Sequence, residues 1–369
     1  MSDNRKEAEE KMAKAIFISN DCWLCVFDLI TPSQLGFGIA MISHRFDIYV
    51  DEHFKTRKRT LALIRIRSKI GENGTKEMEI VNSRWKPLPI PQIQMPRKVI
   101  GFEWINISFI DRNVITFLHH FRQLFAVCPI FVAMDSSKSY IFDMLVTHIW
   151  SLLGKNIHGL RSPAPYFHRL RKFAPSFLDD CPSLRFFNLF HDGFFAEFPC
   201  DDSAAASDGQ ALAKWLFTPR PDGVPKTFKC TLHLVLEKWA SKIEPLKKTF
   251  ASASSPVNFI VSIWIRPTSV DTSVVPFVLT NELTREQLAL KRTYNSSYRF
   301  LLVRHPIARD ESKWTKWEEE AIEWKCFDQW NKIDIRVHRD EQIGDGLFDA
   351  NPGPSDQLQQ LMNDLLRND

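Results

Sequence analysis

Few residues in this chain have the type and spacing that chemistry needs, and each such group is small. Cys22-Trp23-Leu24-Cys25 sets two thiols three positions apart, the spacing of dithiol redox sites in which a helix N-terminus lowers one thiol pKa. Those sites follow a strand, and no strand pattern precedes Cys22. No second cysteine pair closes a four-ligand zinc site. The plainer reading is two half-buried helix thiols. His119 and His120 are adjacent in a helical pattern, so their rings point apart and cannot share a metal. Arg304-His305-Pro306 offers a guanidinium and an imidazole to a phosphoryl group, but no glycine flanks it and it falls at a strand end. Asp179-Asp180 and Asp201-Asp202 read as helix-end and loop carboxylates. Nucleophile-elbow, P-loop, zinc-protease and dinucleotide signatures do not occur. With 13 glycines in 369 residues there is little material for a phosphate-cradling loop. The expectation is a chain that is no enzyme and needs no cofactor or metal.

The elements around these groups alternate between strand and helix. Ile64 and Ile66 alternate with Arg65 and Arg67, the pattern of a half-buried strand. Pro87, Pro89, Pro91 and Pro96 exclude a central strand and predict a surface connection. Val114 to Phe125 has helical spacing, Pro129 stops it, and Ile130 to Met134 reads as a buried strand. Helix patterns at 141–153, 166–178, 209–217 and 236–250 then alternate with strand patterns at 157–160, 184–190, 227–233 and 259–265. The expected class is α/β: a degenerate leucine-rich-repeat-like layer, or a single mixed sheet with helices on one or both faces. After Pro267 the short runs 274–280, 287–291 and 298–303 predict an antiparallel meander. A charged helix over 314–330 follows, and the alternating run Ile333 to His338 is expected to complete the sheet.

Composition is that of an ordinary folded protein, with 44% hydrophobic and 25% charged residues. The 29 phenylalanines against 5 tyrosines point to a core filled by phenyl rings. A net charge of +4 is a weak surplus, so nucleic acid is not an expected partner. The basic stretch between His53 and Lys69 reads as a solvated linker feeding a strand, and His168-Arg169-Leu170-Arg171-Lys172 as a solvated helix face. Seven scattered cysteines suggest no disulfide framework. No run approaches the roughly 18 apolar residues of a membrane helix. A cytoplasmic or nuclear protein without membrane contact is expected.

Residues 16–57 form a separate helical unit between a charged arm (1–15) and the α/β region (58–340); a tail (341–369) closes the chain. Ser19 or Asn20 can cap a first helix, Pro32 restarts the chain after a break, and Leu35, Ile39, Ile42, Phe46 and Val50 continue the apolar stripe. Three short helices cannot bury such faces alone, so a neighbouring domain or a partner must help. The tail ends in a helical pattern that brings Leu358, Leu361, Met362 and Leu365 to one side.

The unit resembles the F-box. Ile18, Asp21, Val26, Phe27, Leu29, Leu35, Ile39 and the run Ile42-Ser43-His44-Arg45-Phe46 occupy matching positions. Ser19 stands where that pattern usually has proline, Phe46 where it more often has tryptophan, and the step from Leu35 to Ile42 is one residue longer. Beyond the unit, ISHRFDIYVDEHFKTRK (42–58), GQALAKWLFTPRPDGVPK (209–226), VPFVLTNELTREQLALKR (275–292) and LLVRHPIARDESKWTKWEEEAI (301–322) are similar to a lineage-expanded nematode F-box family with an F-box-associated C-terminal domain. The resemblance implies a substrate-receptor adaptor of an SCF-type ubiquitin ligase. Ile18, Ser19, Leu29, Leu35, Ile42, Ser43 and Phe46 would face a Skp1-type adaptor, and through it a cullin, while the C-terminal domain holds a target protein. The other expectation is a stand-alone interaction module that does not engage the ligase. No residue pattern marks the target or the positions that hold it.

Overall fold

The apolar runs pair into a 13-stranded sheet whose middle is parallel. The computed structural model describes residues 18–30, 34–40, 42–56, 59–61, 63–71, 76–81, 87–88, 99–136, 138–153, 156–175, 177–192, 194–233, 236–266, 274–293, 298–324 and 331–344. The expected arm, the helical pattern of the tail and most of the proline-rich connection lie outside them. The strands are β1 (Arg59–Leu61), β2 (Ile64–Ile70), β3 (Lys76–Val81), β4 (Pro87–Leu88), β5 (Val99–Phe102), β6 (Trp104–Ile107), β7 (Ile130–Asp135), β8 (Ile157–Pro163), β9 (Phe186–Asp192), β10 (Lys226–His233), β11 (Phe259–Arg266), β12 (Phe277–Asn281), β13 (Glu286–Arg292), β14 (Arg299–Pro306) and β15 (Lys332–Arg336). Their order is β12-β13-β14-β11-β10-β9-β8-β7-β15-β6-β2-β3-β4, with β1 and β5 paired in a small separate sheet. Every pairing from β11 across to β2 is parallel. Antiparallel strands flank this run: β14, β13 and β12 on one side, β3 and β4 on the other. The chain is thus mixed α/β with a mixed sheet, and the expected meander is present.

Helices α1 (Asn20–Asp28), α2 (His44–Thr56), α3 (Arg112–His120), α4 (Arg122–Val127), α5 (Ser139–Leu145), α6 (Ser151–Leu153), α7 (Ala164–Phe173), α8 (Phe177–Asp180), α9 (Asp208–Phe217), α10 (Leu236–Ala251) and α11 (Glu311–Glu323) complete the set. Short polar side chains start several of them. Asp111 accepts from Val114 N at 2.7 Å to cap α3, and Ser207 with Gln210 forms a capping box on α9. One continuous core joins residues of α1 to α10 to alternate positions of the strands: Ile64 and Ile66, Val132 and Met134, Phe187 and Leu189, Phe228 and Cys230, Val261 and Ile263. Phenyl rings fill it, as the composition predicts. Phe167 meets Phe177 and Phe187 edge to face at 5.7 and 5.3 Å, and Phe121 lies 6.2 Å from Phe102. On the other face, α11 packs Trp314, Ala321 and Ile322 on Ile260, Leu301 and Val303, the intervening positions of β11 and β14. No helix among the described residues is long and apolar enough to cross a membrane.

Two expectations need correction. Val114 to Phe125 is two helices, because the backbone closes a turn at Phe121 (Phe121 N to Leu118 O, 3.0 Å) before α4 begins. The basic face at 168–172 is not wholly solvated. Arg171 is buried and reaches Asp208, Ala206 O and Ser203 O at 3.0 to 3.1 Å, pinning the loop before α9. The run from Ile333 joins the sheet as expected, and as β15 it does so in the middle, between β6 and β7.

That insertion is held at its first step by Asn331. Its N–H donates to Phe102 O at 2.6 Å, its side-chain Oδ1 accepts from Phe102 N at 2.9 Å, and its carbonyl accepts from Phe131 N at 3.0 Å. Asn331 sits at φ 63°, a left-handed conformation that asparagine tolerates better than most residues. Gly101 clears the way, since a Cβ there would lie 2.6 Å from Asn331 Oδ1. Asn331→Ala strands the buried Phe102 N–H and keeps a Cβ in the left-handed region. A loss of about 2–4 kcal/mol in urea denaturation is expected from those two costs together. Asn331→Gly should recover the backbone part alone, giving an intermediate midpoint.

Candidate docking surfaces

The N-terminal unit is built from α1, a π-helical turn (Leu35–Ile39) and α2. Its described residues give two α-helices and a π-helical turn; residues 31–33, between α1 and that turn, lie outside them. Ser19 caps α1 by accepting from Cys22 N at 3.3 Å, and Ser43 accepts from Phe46 N at 3.4 Å at the start of α2. Polar and aromatic contacts tie the helices together. Tyr49 donates its hydroxyl to Asn20 Oδ1 and accepts from Arg45 Nε at 2.8 Å, and the Trp23 and Phe46 rings meet edge to face at 4.9 Å. His53, expected in a solvated basic linker, is buried edge-on against Phe27 at 5.7 Å, with Asp28 Oδ1 3.8 Å from its Nε2.

The seven positions implied by the resemblance separate by burial. Leu29 is 88% exposed and Ile42 63%. Ile18 and Phe46 are half-buried, and Ser19 and Ser43 are exposed. Leu35 is 0% exposed, which corrects its reading as an outward anchor. It packs with Phe27, Ala40 and Val50 inside the core. Val26 and Ile48, at 41% and 50% exposure, are two further exposed aliphatic positions. Val26 stands three residues before Leu29 on α1, and Ile48 two residues beyond Phe46 on α2. Four exposed aliphatic side chains within one small unit exceed what scattered surface positions require.

The groups with chemical potential are otherwise engaged. Cys22 and Cys25 are free and exposed on α1, where half-burial was expected. Burial pushes the Cys181 thiol up to about 12 and raises that of Cys230 as well, which suits packing rather than reactivity. Arg304 is wholly buried on Glu286 at 2.6 Å. It also donates to Ser255 O at 3.0 Å and lies 5.1 and 5.2 Å from the Phe217 and Phe250 rings. Its guanidinium therefore faces the interior and not a phosphoryl group. His305 is lowered by burial. Among the described residues no cluster of three metal-ligating side chains occurs.

A cavity of about 220 Å³ below α9 holds the one strongly perturbed amine among the described residues, Lys226, lined also by Asp179, Cys181, Trp215 and Arg220. Burial, and then the nearby Arg220, lower Lys226 from 10.5 to about 7, while Asp179 acts in the opposite sense. Its Nζ donates to the carbonyl of Trp215 in the last turn of α9 and lies 5.0 Å from that indole. The amine thus adds a second donor to a helix C-terminal carbonyl that also accepts from Thr218 N at 3.3 Å.

Comparison with family models, curated proteins and solved structures finds no match for this chain. The reading of its surfaces therefore rests on geometry and on the residue patterns themselves.

Lys226 carries a pH signature. Below about pH 7 it is charged in both states; above it, the folded protein releases a proton that the unfolded chain keeps until about 10.5. The unfolded state then binds more protons, so stability rises with pH across that window. Urea denaturation of the wild type should gain on Lys226→Met between pH 7 and 10, with a constant difference below pH 6. Parallel curves throughout would show that the amine stays charged in the fold.

Proposed function

We propose that this chain is a non-enzymatic substrate-receptor adaptor of an SCF-type ubiquitin ligase. Its N-terminal unit docks a Skp1-type adaptor and through it a cullin, and its α/β domain carries a target protein. The observation that supports this most directly is Leu29 and Ile42, the most exposed large apolar side chains among the described residues of the unit, where Val26 and Ile48 are exposed as well. A standard interface buries about 800 Å² per partner around a few such anchors. The F-box-like pattern of residues 18–46 supports the same reading. Ubiquitin transfer would take place on the associated machinery, with this chain supplying proximity and orientation. We read the α/β domain as a degenerate leucine-rich-repeat-like layer, because the strands that begin at Ile130, Ile157, Phe186, Lys226 and Phe259 are added side by side in chain order. A cytoplasmic or nuclear setting belongs to the same proposal.

The test is co-purification of the full chain with a recombinant Skp1-type adaptor. Leu29→Asp with Ile42→Asp should weaken capture by about 30-fold or more, as loss of two anchors predicts. Both positions are exposed, so the denaturation midpoint should move by no more than about 0.5 kcal/mol. Leu35→Asp should instead unfold the unit, since it places a charge in the core. Undiminished capture by the double variant, or no capture by the wild type, would leave a stand-alone interaction module in its place.

A further inference from the structure

Lys226 is buried in the cavity below α9 without the ion pair that a buried ammonium ordinarily requires. Among the described residues its Nζ has one hydrogen-bond partner, the Trp215 carbonyl, and no paired carboxylate. That carbonyl does not depend on the amine, since Thr218 N also donates to it. A methionine would fill the same space without the desolvation cost of an amine, so packing does not account for a lysine here.

The surroundings make Nζ a nucleophile. A desolvated lysine beside a second cation loses its proton readily, and only the neutral amine carries a lone pair. Burial, and then Arg220, leave about half of Lys226 neutral near pH 7, against fewer than about one in a thousand for a lysine titrating near 10.4. Cys181 lines the same cavity but stays a thiol, its pKa pushed up to about 12 by burial. The cavity is open to solvent, because Asp179, Pro182 and Pro219 line it and are exposed. Its volume of about 220 Å³ is that of roughly seven waters, enough for a chain of a few carbons. Leu178, Pro182, Trp215 and Pro219 give it apolar walls. Its charges select against an acid. Arg220 is committed elsewhere, with Nε and Nη2 on Asp222 at 3.0 and 2.6 Å and Nη1 on the Ser183 and Leu184 carbonyls at 3.1 and 3.3 Å. The carboxylate of Asp179 repels a second anion.

We propose that Lys226 captures a short, uncharged aldehyde in this cavity as a reversible imine. The Nζ lone pair forms a bond to the carbonyl carbon, and the carbonyl oxygen leaves as water with the two protons of the neutral amine. A C=N bond thereby replaces C=O, and the step is redox-neutral. The hydrogen bond from Nζ to Trp215 O is given up, while Thr218 N stays on that carbonyl at 3.3 Å. The aliphatic tail of the aldehyde lies against the apolar walls. Water returning through the mouth reverses the bond, so the cavity holds a ligand and turns nothing over. Capture at Lys226 and docking at Leu29 and Ile42 are independent of one another.

Reductive trapping on the purified full-length wild type tests it and needs no variant. Butanal is the probe, cyanoborohydride reduces the imine to a stable butyl-lysine, and peptide mass spectrometry follows Lys226. Free Nα-acetyllysine in the same tube is the reference. At pH 7.5 Lys226 should be labelled about tenfold or more faster than the reference, with a rate that saturates as butanal is raised. The advantage should shrink toward pH 10, where the free lysine loses its proton as well. Glyoxylate, an aldehyde that carries a carboxylate, should show no such advantage at Lys226. Labelling of Lys226 no faster than the reference, a rate that stays linear in butanal, or an equal advantage with glyoxylate would overturn it.

Discussion

Three hydrogen bonds at Asn331 join strands that lie more than two hundred residues apart in the chain, and the continuity of the sheet follows from them. On one side of β15 lie β6, β2, β3 and β4, all from the first third of the sequence. On the other lie β7 to β14, added from the middle onward. Neither block pairs with the other directly. The parallel run is unbroken only because a late strand enters the gap, and it enters in register only because the Phe102 backbone finds both partners on Asn331. The left-handed backbone and the cramped glycine opposite are the local cost of that junction.

Single-sided packing follows from the way strands are added. Each crossover from β7 to β11 returns on the same side, so the helices form one layer and their apolar residues merge into one core. Among the described residues, α11 and Trp324 pack on the opposite face. That helix ends with Trp324 at φ 55°, a conformation costing a non-glycine residue about 1–2 kcal/mol. The indole's burial against Phe186 at 6.1 Å, with Lys229 5.4 Å from the ring, offsets this.

Charged residues that looked like reagents serve mainly as ties. Arg304 and Glu286 fasten β14 to β13 and to the loop before β11, with Val257 N donating to Glu286 at 2.7 Å. Arg185 reaches Glu320 at 2.7 Å and so fixes α11 across the sheet from β9. Arg171 holds the approach to α9, and Lys226 closes its other end. Such pairs cost desolvation and give little net stability, but removing one partner leaves a buried charge, so they define geometry strongly. Their engagement is the physical reason that no constellation here has free groups converging on one point.

Periodicity was enough to place most elements, because burial of one face imposes a period of two on a strand and about 3.6 on a helix wherever the segment is long. Ile130 to Met134, Gly209 to Phe217 and Phe259 to Ile265 were legible for that reason, as were the caps of the N-terminal unit. Lys76–Val81 and Trp104–Ile107 were not, being short and mixed in polarity. Which aliphatic side chains of the N-terminal unit remain outside, Leu29 and Ile42 but not Leu35, depended on tertiary packing that local pattern does not encode. The place of β15 was also beyond the sequence, since a strand's neighbours are chosen by hydrogen-bond partners brought from elsewhere in the chain.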